Sequence, residues 1–207
     1  VSWGLAGFSN STVWLIFAAF MIGLGYQKSG LGRRMALILI KLLGKTTLGL
    51  GYAIAIADGI LAPFIPSNSA RSGGTLYPIV SSIPPMIGSY PDKEPRKIGG
   101  YLIWVSLAAT CVTSSMFFTG LAPNLLAMET ATKSGVEAIS WFGWFMAFLP
   151  AGIILFIATP YLTYIFYPPT SKGSKEASIW AGEELKKIGS ITSKEWSMIG
   201  LAFFALI

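Results

Sequence analysis

The sequence predicts an all-α integral membrane protein, and three observations support this. Of 207 residues, 53% are hydrophobic and 12% are charged, about half the charged fraction usual in soluble domains. The apolar residues are gathered into blocks: residues 98–118 run 21 positions without a charge and residues 139–167 run 29. Each block reaches the roughly 20 residues that a helix needs to cross about 30 Å of hydrocarbon. Finally, the basic residues fall between the blocks. Arg33, Arg34, Lys41, Lys45, Lys93, Arg96, Lys97, Lys172, Lys175, Lys186 and Lys187 occupy three inter-span segments, and Lys133 is alone in a fourth. Cytoplasmic loops carry the Lys/Arg excess, so the three rich segments face the cytoplasm and residues 129–140 face outward. The net charge of +6 is therefore a topology signal, and nucleic acid is not expected as a partner.

Residues 1–46 comprise the end of a membrane helix, interrupted by Gly23 and Gly25, and then a basic amphipathic segment from Leu31 to Lys45. Arg34, Lys41 and Lys45 share one helical face opposite Leu, Ile and Met. That pattern suits a helix lying in the membrane interface; a cytoplasmic extension of the preceding helix is the alternative.

Residues 47–85 are the informative stretch. An apolar arm from Leu48 to Ile65, interrupted by Asp58, meets Pro66, the polar octet Ser67–Gly74, a shorter arm from Thr75 to Ile83, and Pro84–Pro85. Proline and glycine around the octet predict that it does not continue a helix. Lys45 precedes the stretch and Lys93, Arg96 and Lys97 follow it, so both ends are assigned to the basic side. The expectation is a re-entrant helical hairpin whose polar tip lies near the midplane. Such backbone is tolerated at that depth only inside protein or along a watery cavity.

Residues 98–132 form a span interrupted at Thr119–Asn124, where Gly120 and Pro123 predict a discontinuous helix resuming over Leu125–Ala131. Residues 139–167 return to the basic side, with Pro150 and Pro160 inside and Trp141, Trp144, Tyr161, Tyr164 and Tyr167 as interface anchors. Residues 168–195 are a polar cytoplasmic helix and linker whose Glu183, Glu184, Lys186 and Lys187 form a solvated face. Residues 196–207 are expected to begin a membrane helix cut short, so the sequence is expected to be a fragment.

Two interruptions, each with helix ends and small polar side chains, mark a substrate site in a secondary transporter. Ser67, Asn68 and Ser69 can donate to a carboxylate. Their oxygens, with the carbonyls of Thr119 and Gly120, can instead ligate sodium, and spacing does not decide between the two. Arg71 is costly at bilayer depth unless paired. It serves to capture an anion, to replace a bound sodium ion by a fixed charge, to lock the hairpin through Asp58, or it snorkels toward the interface. Asp58 is read as a structural partner rather than a proton relay. Cys111 is single and mid-span, read as core filler. The sequence has no histidine, and Arg71 stays protonated, so an enzyme using Ser67 or Ser69 as nucleophile lacks a base. A channel would show a continuous polar stripe on several spans.

The run Pro66–Gly74 followed by Thr119–Ala127 resembles the divalent-anion:sodium symporter family, in its branch of citrate/succinate and tartrate/succinate antiporters and 2-oxoglutarate/malate translocators. Lys97–Trp104 and Trp180–Trp196 are similar to the same branch. The family's Ser-Asn-Thr motif falls on Ser67, Asn68 and Ser69, with a methyl lost at the third position. The resemblance implies the first of two inverted repeats, a homodimer working by an elevator mechanism, and exchange of small di- or tricarboxylates across a bacterial inner membrane. It places substrate at Ser67, Asn68, Ser69, Arg71, Thr119, Gly120 and Asn124. Sodium, at Ser67, Asn68 and Gly120, is implied only for a symporter; otherwise no cofactor is expected.

Overall fold

Polar caps and glycines set where several helices start and stop in the computed structural model, which describes residues 6–205. α1 (Ser11–Ser29) opens on Asn10, whose side chain accepts from the Thr12 N–H. It closes on Gly30, whose φ of 81° is left-handed and turns the chain directly into α2 (Leu31–Leu43). α3 (Thr47–Leu61) is capped by the Thr46 hydroxyl, which accepts from Gly49 N–H at 3.1 Å. After α3 the chain is out of regular helix over residues 62–67. Ser69–Leu76 then forms a wide π-helical segment, followed by the short α4 (Tyr77–Val80) and α5 (Ile83–Met86). α6 (Gly99–Met116), a 3₁₀ turn at Phe118–Gly120, α7 (Ala122–Lys133) and α8 (Trp141–Phe166) follow; α9 (Lys175–Ile188) and α10 (Ser193–Ala205) close the order. Residues 206 and 207 of the expected final segment, and residues 1–5 of the first, lie outside the described residues.

The core is built where α2, α3 and α6 meet. Leu37 and Ile40 of α2, Leu50, Ile54 and Leu61 of α3, and Tyr101, Leu102 and Val105 of α6 are buried together. The segment after the turn packs back along α3: Leu76, Ile79 and Val80 line one crevice with Ala53, Ile54 and Ala57. Close approach is bought by missing side chains. A β-carbon at Gly32 would come within 2.8 Å of Thr75, and one at Gly51 would fall on the Tyr101 hydroxyl.

α8 runs antiparallel to α6. Trp144 Nε1 donates to the Ser115 carbonyl at 3.0 Å, and at the other end the Tyr101 hydroxyl donates to the Pro160 carbonyl at 3.3 Å. α6 and α8 are the two described helices long and apolar enough to cross a membrane. The outer face of α8, with Ile153, Ile154, Leu155 and Ile157, is exposed.

Four local expectations need correction. The octet Ser67–Gly74 does not simply interrupt a helix. The break covers residues 62–67 and takes in only the first residue of the octet, and Ser69–Leu76 is itself helical in a wide form, Tyr77 N–H reaching the Ser72 carbonyl. Pro84 and Pro85 do not close the returning arm; they sit in the first turn of α5, where a missing N–H is harmless. Arg34 does not share an exposed face with Lys41, because Glu195 draws it into the interior, where it is buried; Lys45 lies beyond the end of α2. Cys111 is exposed on α6 and fills no core.

α9 is also more than a solvated face. Ala177 and Ala181 are buried against the core, and Glu184 bonds Arg33 at 2.8 Å and Lys187 at 2.8 Å. The Lys187 hydrogen bond, more than Arg33, holds the Glu184 carboxyl below the usual carboxylate range.

Candidate functional site

The turn after α3 and the break after α6 are clasped together. Ala122 N–H donates to the Pro66 carbonyl at 3.2 Å, and the Thr119 hydroxyl donates to the Pro63 carbonyl at 2.7 Å. Pro63 and Pro66 lie where the chain is out of regular helix, so their carbonyls are free to accept across the gap.

Arg71 fills the space between the two breaks. Its side chain is 0% exposed, with seven oxygens within hydrogen-bond reach. Nε donates to Asp58 Oδ1 at 3.0 Å. Nη1 donates to the carbonyls of Ile65 at 3.0 Å and Gly120 at 3.1 Å. Nη2 faces Asn68 Oδ1 at 3.3 Å and the hydroxyls of Thr110 at 3.1 Å, Thr113 at 3.3 Å and Ser114 at 2.7 Å. Asp58, itself 1% exposed, also accepts from the Thr113 hydroxyl, and Asn68 Oδ1 also accepts from the Ser114 hydroxyl. Removing a guanidinium from water is tolerated only with a counter-charge and filled donors, and both conditions hold. The pairing of Arg71 with Asp58, one of the readings the sequence left open, is the geometry observed.

The other site residues divide between the cage and the surface. Ser67 is half-buried, its hydroxyl accepting from Ala70 N–H at 3.3 Å. Asn68 is half-buried with its oxygen turned inward, whereas Ser69 and Gly73 are exposed at the outer edge. Thr119 is held by its bonds to Pro63 and to Trp141 Nε1 at 3.1 Å. Asn124 Nδ2 donates to the carbonyls of Ser114 at 2.8 Å and Phe117 at 3.1 Å, which satisfies two free carbonyls at the end of α6. Behind the π-helical segment, Gln27 Nε2 donates to the Ala70 carbonyl at 2.9 Å.

Thr110, Thr113 and Ser114 were not singled out from the sequence. Their signal was present: three hydroxyls at offsets of three and four on one face of a charge-free block. The described residues hold no group of three or more His, Cys, Asp or Glu able to bind a metal ion.

Comparison with known proteins adds two findings. The whole chain, residues 1–207, matches the family described as the sodium:sulfate symporter transmembrane region. The chain is 53% identical over 207 residues to the citrate/succinate antiporter of Escherichia coli K12, covering all of this chain and 42% of that protein. It is 48% identical over 208 residues to the L-tartrate/succinate antiporters of Escherichia coli K12 and Shigella flexneri, covering 43% of each. It thus spans less than half the length of these relatives.

Proposed function

Since this chain belongs to the sodium:sulfate symporter family of multi-pass membrane proteins, we propose that it forms the first repeat of a carboxylate exchanger of the bacterial inner membrane. In this reading residues 47–85 are a re-entrant hairpin, α6 and α7 are the two halves of a discontinuous helix, and the exposed face of α8 meets lipid. Residues 168–195 are the cytoplasmic linker, and residues 196–207 enter the bilayer again. The substrates are small di- and tricarboxylates of the kind named for the relatives, exchanged by a homodimer through an elevator motion. Ser67, Asn68 and Ser69 present donors at the tip, and the second half of the pocket comes from the second repeat that the family carries.

One observation favours exchange over sodium symport. The oxygens a sodium ion would need at the tip, Asn68 Oδ1 and the Gly120 carbonyl, already accept from Arg71. Arginine has donors only and keeps its charge. It therefore occupies the place of a cation permanently, and Ser67, Asn68 and Gly120 need hold no ion for the tip to be assembled.

Uptake of radiolabelled succinate and citrate into proteoliposomes tests this, using the full-length protein. Uptake is expected only into vesicles preloaded with carboxylate, and a sodium gradient is expected to leave it unchanged. Sodium-driven uptake into empty vesicles would show a symporter instead.

A further inference from the structure

We propose that Asp58 is the positioning residue of the tip: it fixes the guanidinium of Arg71, which turns the N–H end of the Asn68 amide outward, and it cancels the arginine's charge. Carboxylates are then recognised by neutral donors and not by a net positive field. This inference rests on the carboxylate reading above.

The geometry runs in three steps. Asp58 sits in the last turn of α3 and grips Arg71 at Nε, while its second oxygen is held by the Thr113 hydroxyl. A carboxylate fixed at both oxygens sets the plane of the guanidinium, because Nε and the two Nη groups form a rigid fork. With Nε on Asp58, Nη1 can only point at the Ile65 and Gly120 carbonyls, and Nη2 points at α6 and Asn68.

The second step is at Asn68. Its amide offers an acceptor at one end and two donors at the other. Arg71 has no acceptor, so the end facing it must be Oδ1, where the Ser114 hydroxyl also donates. Nδ2 is thereby turned away from the cage, and among the described residues it has no hydrogen-bond partner. Asn68 is half-buried, and the next residue in the chain, Ser69, is exposed. Two amide N–H groups and a hydroxyl at an exposed rim suit carboxylate oxygens and repel a bare cation.

The third step is charge. Arg71 alone would place +1 at the tip, favouring the substrate with the most negative charge. The buried pair with Asp58 brings the tip to zero, so a dicarboxylate and a tricarboxylate are bound on similar terms.

The test uses the full-length protein in proteoliposomes, with apparent KM and maximal rate measured separately for succinate and citrate. Asp58→Asn leaves Arg71 its carbonyl, hydroxyl and Asn68 partners but removes the counter-charge. Citrate KM is expected to fall about tenfold relative to succinate KM, as one added charge at partly screened distance requires. Asp58→Asn/Arg71→Gln restores neutrality and releases Asn68. There the KM ratio is expected to return to the wild-type value, while both KM values rise about tenfold. A merely structural role would lower maximal rate and thermal midpoint and leave the KM ratio of Asp58→Asn unchanged, which overturns the inference. Should Asp58→Asn fail to assemble, the neutral double variant decides: wild-type KM values in it overturn the inference. Wild-type protein that exchanges no carboxylate overturns the functional reading, and this inference with it.

Discussion

Arg71 closes two gaps at once, bonding the carbonyls of Ile65 and Gly120. Replacing it by alanine strands Asp58 in the interior with no counter-charge and leaves the Ile65 and Gly120 carbonyls without a donor. Breaking a buried pair by removing one partner costs about 3–5 kcal/mol. Arg71→Ala is therefore expected to abolish counterflow of radiolabelled dicarboxylate and to lower the thermal midpoint in detergent. Wild-type exchange in that variant would remove Arg71 from the mechanism. A second residue-scale prediction concerns Gly51, whose missing side chain admits the Tyr101 ring. Tyr101 is 0% exposed and cannot swing aside. Gly51→Ala should cost about 1–3 kcal/mol through overpacking, visible as a lower midpoint with KM unchanged. Much of the tip was legible in the sequence, since proline, glycine and a basic residue inside an apolar region are conspicuous. What Arg71 touches was not. Two of its partners are backbone carbonyls, which leave no mark in a sequence, and three are hydroxyls on α6, some forty residues away. Asn124 reads as a ligand by type, yet its donors are spent on the end of α6.

Among the elements, α2 shows where spacing misleads. Arg34, Lys41 and Lys45 fall at helical intervals, but periodicity does not reveal which charge has a partner elsewhere. Arg34 donates to Glu195 at 2.7 Å and 3.1 Å and to the carbonyls of Gly189 at 2.8 Å and Ser190 at 3.1 Å. Glu195 in turn accepts from Thr192 N–H at 2.7 Å, a capping box at the start of α10. One guanidinium thus fastens the α9–α10 junction to α2. Arg34→Ala should free this junction at a cost of about 3–5 kcal/mol, and limited trypsin digestion should then cut faster at Lys186, Lys187 and Lys194. A cleavage rate equal to wild type would show that the junction is held by the apolar contacts of α9 alone. The paired replacement Arg34→Met/Glu195→Met leaves no buried charge and is expected to restore most of the resistance. By contrast, the long apolar helices were legible because hydrocarbon thickness demands their length. The wide turn at Ser69–Leu76 was not, because it depends on bonds of longer reach than the α-helix uses.

At the scale of the whole molecule, three segments distant in sequence are stitched into one layer. Thr47 N–H donates to the Lys172 carbonyl at 3.2 Å, Thr170 N–H to Arg96 at 3.0 Å, Ser171 N–H to Lys97 at 3.0 Å, and Ser174 N–H to Lys45 at 3.2 Å. The basic residues 45, 93, 96, 97 and 172 therefore gather at one end. From this layer α6 runs 18 residues to Met116, about 27 Å at 1.5 Å per residue, and the clasp between Pro66 and Ala122 lies at that far end. If the layer is cytoplasmic, the chain from Lys45 to Lys93 must leave that face and return to it. The full-length protein with Cys111 replaced by alanine provides the background, since that thiol is exposed on α6. Single cysteines at Lys45, Lys93 and Lys172 should then react with a membrane-impermeant maleimide only from the cytoplasmic face of oriented vesicles. A cysteine at Ser134, past the end of α7, should react from the opposite face. Residues 45 and 93 labelled from opposite faces would mean that the segment between them crosses the bilayer once. The Asp58–Arg71 pair would then lie in an ordinary span, and the tip would have no partner repeat to meet.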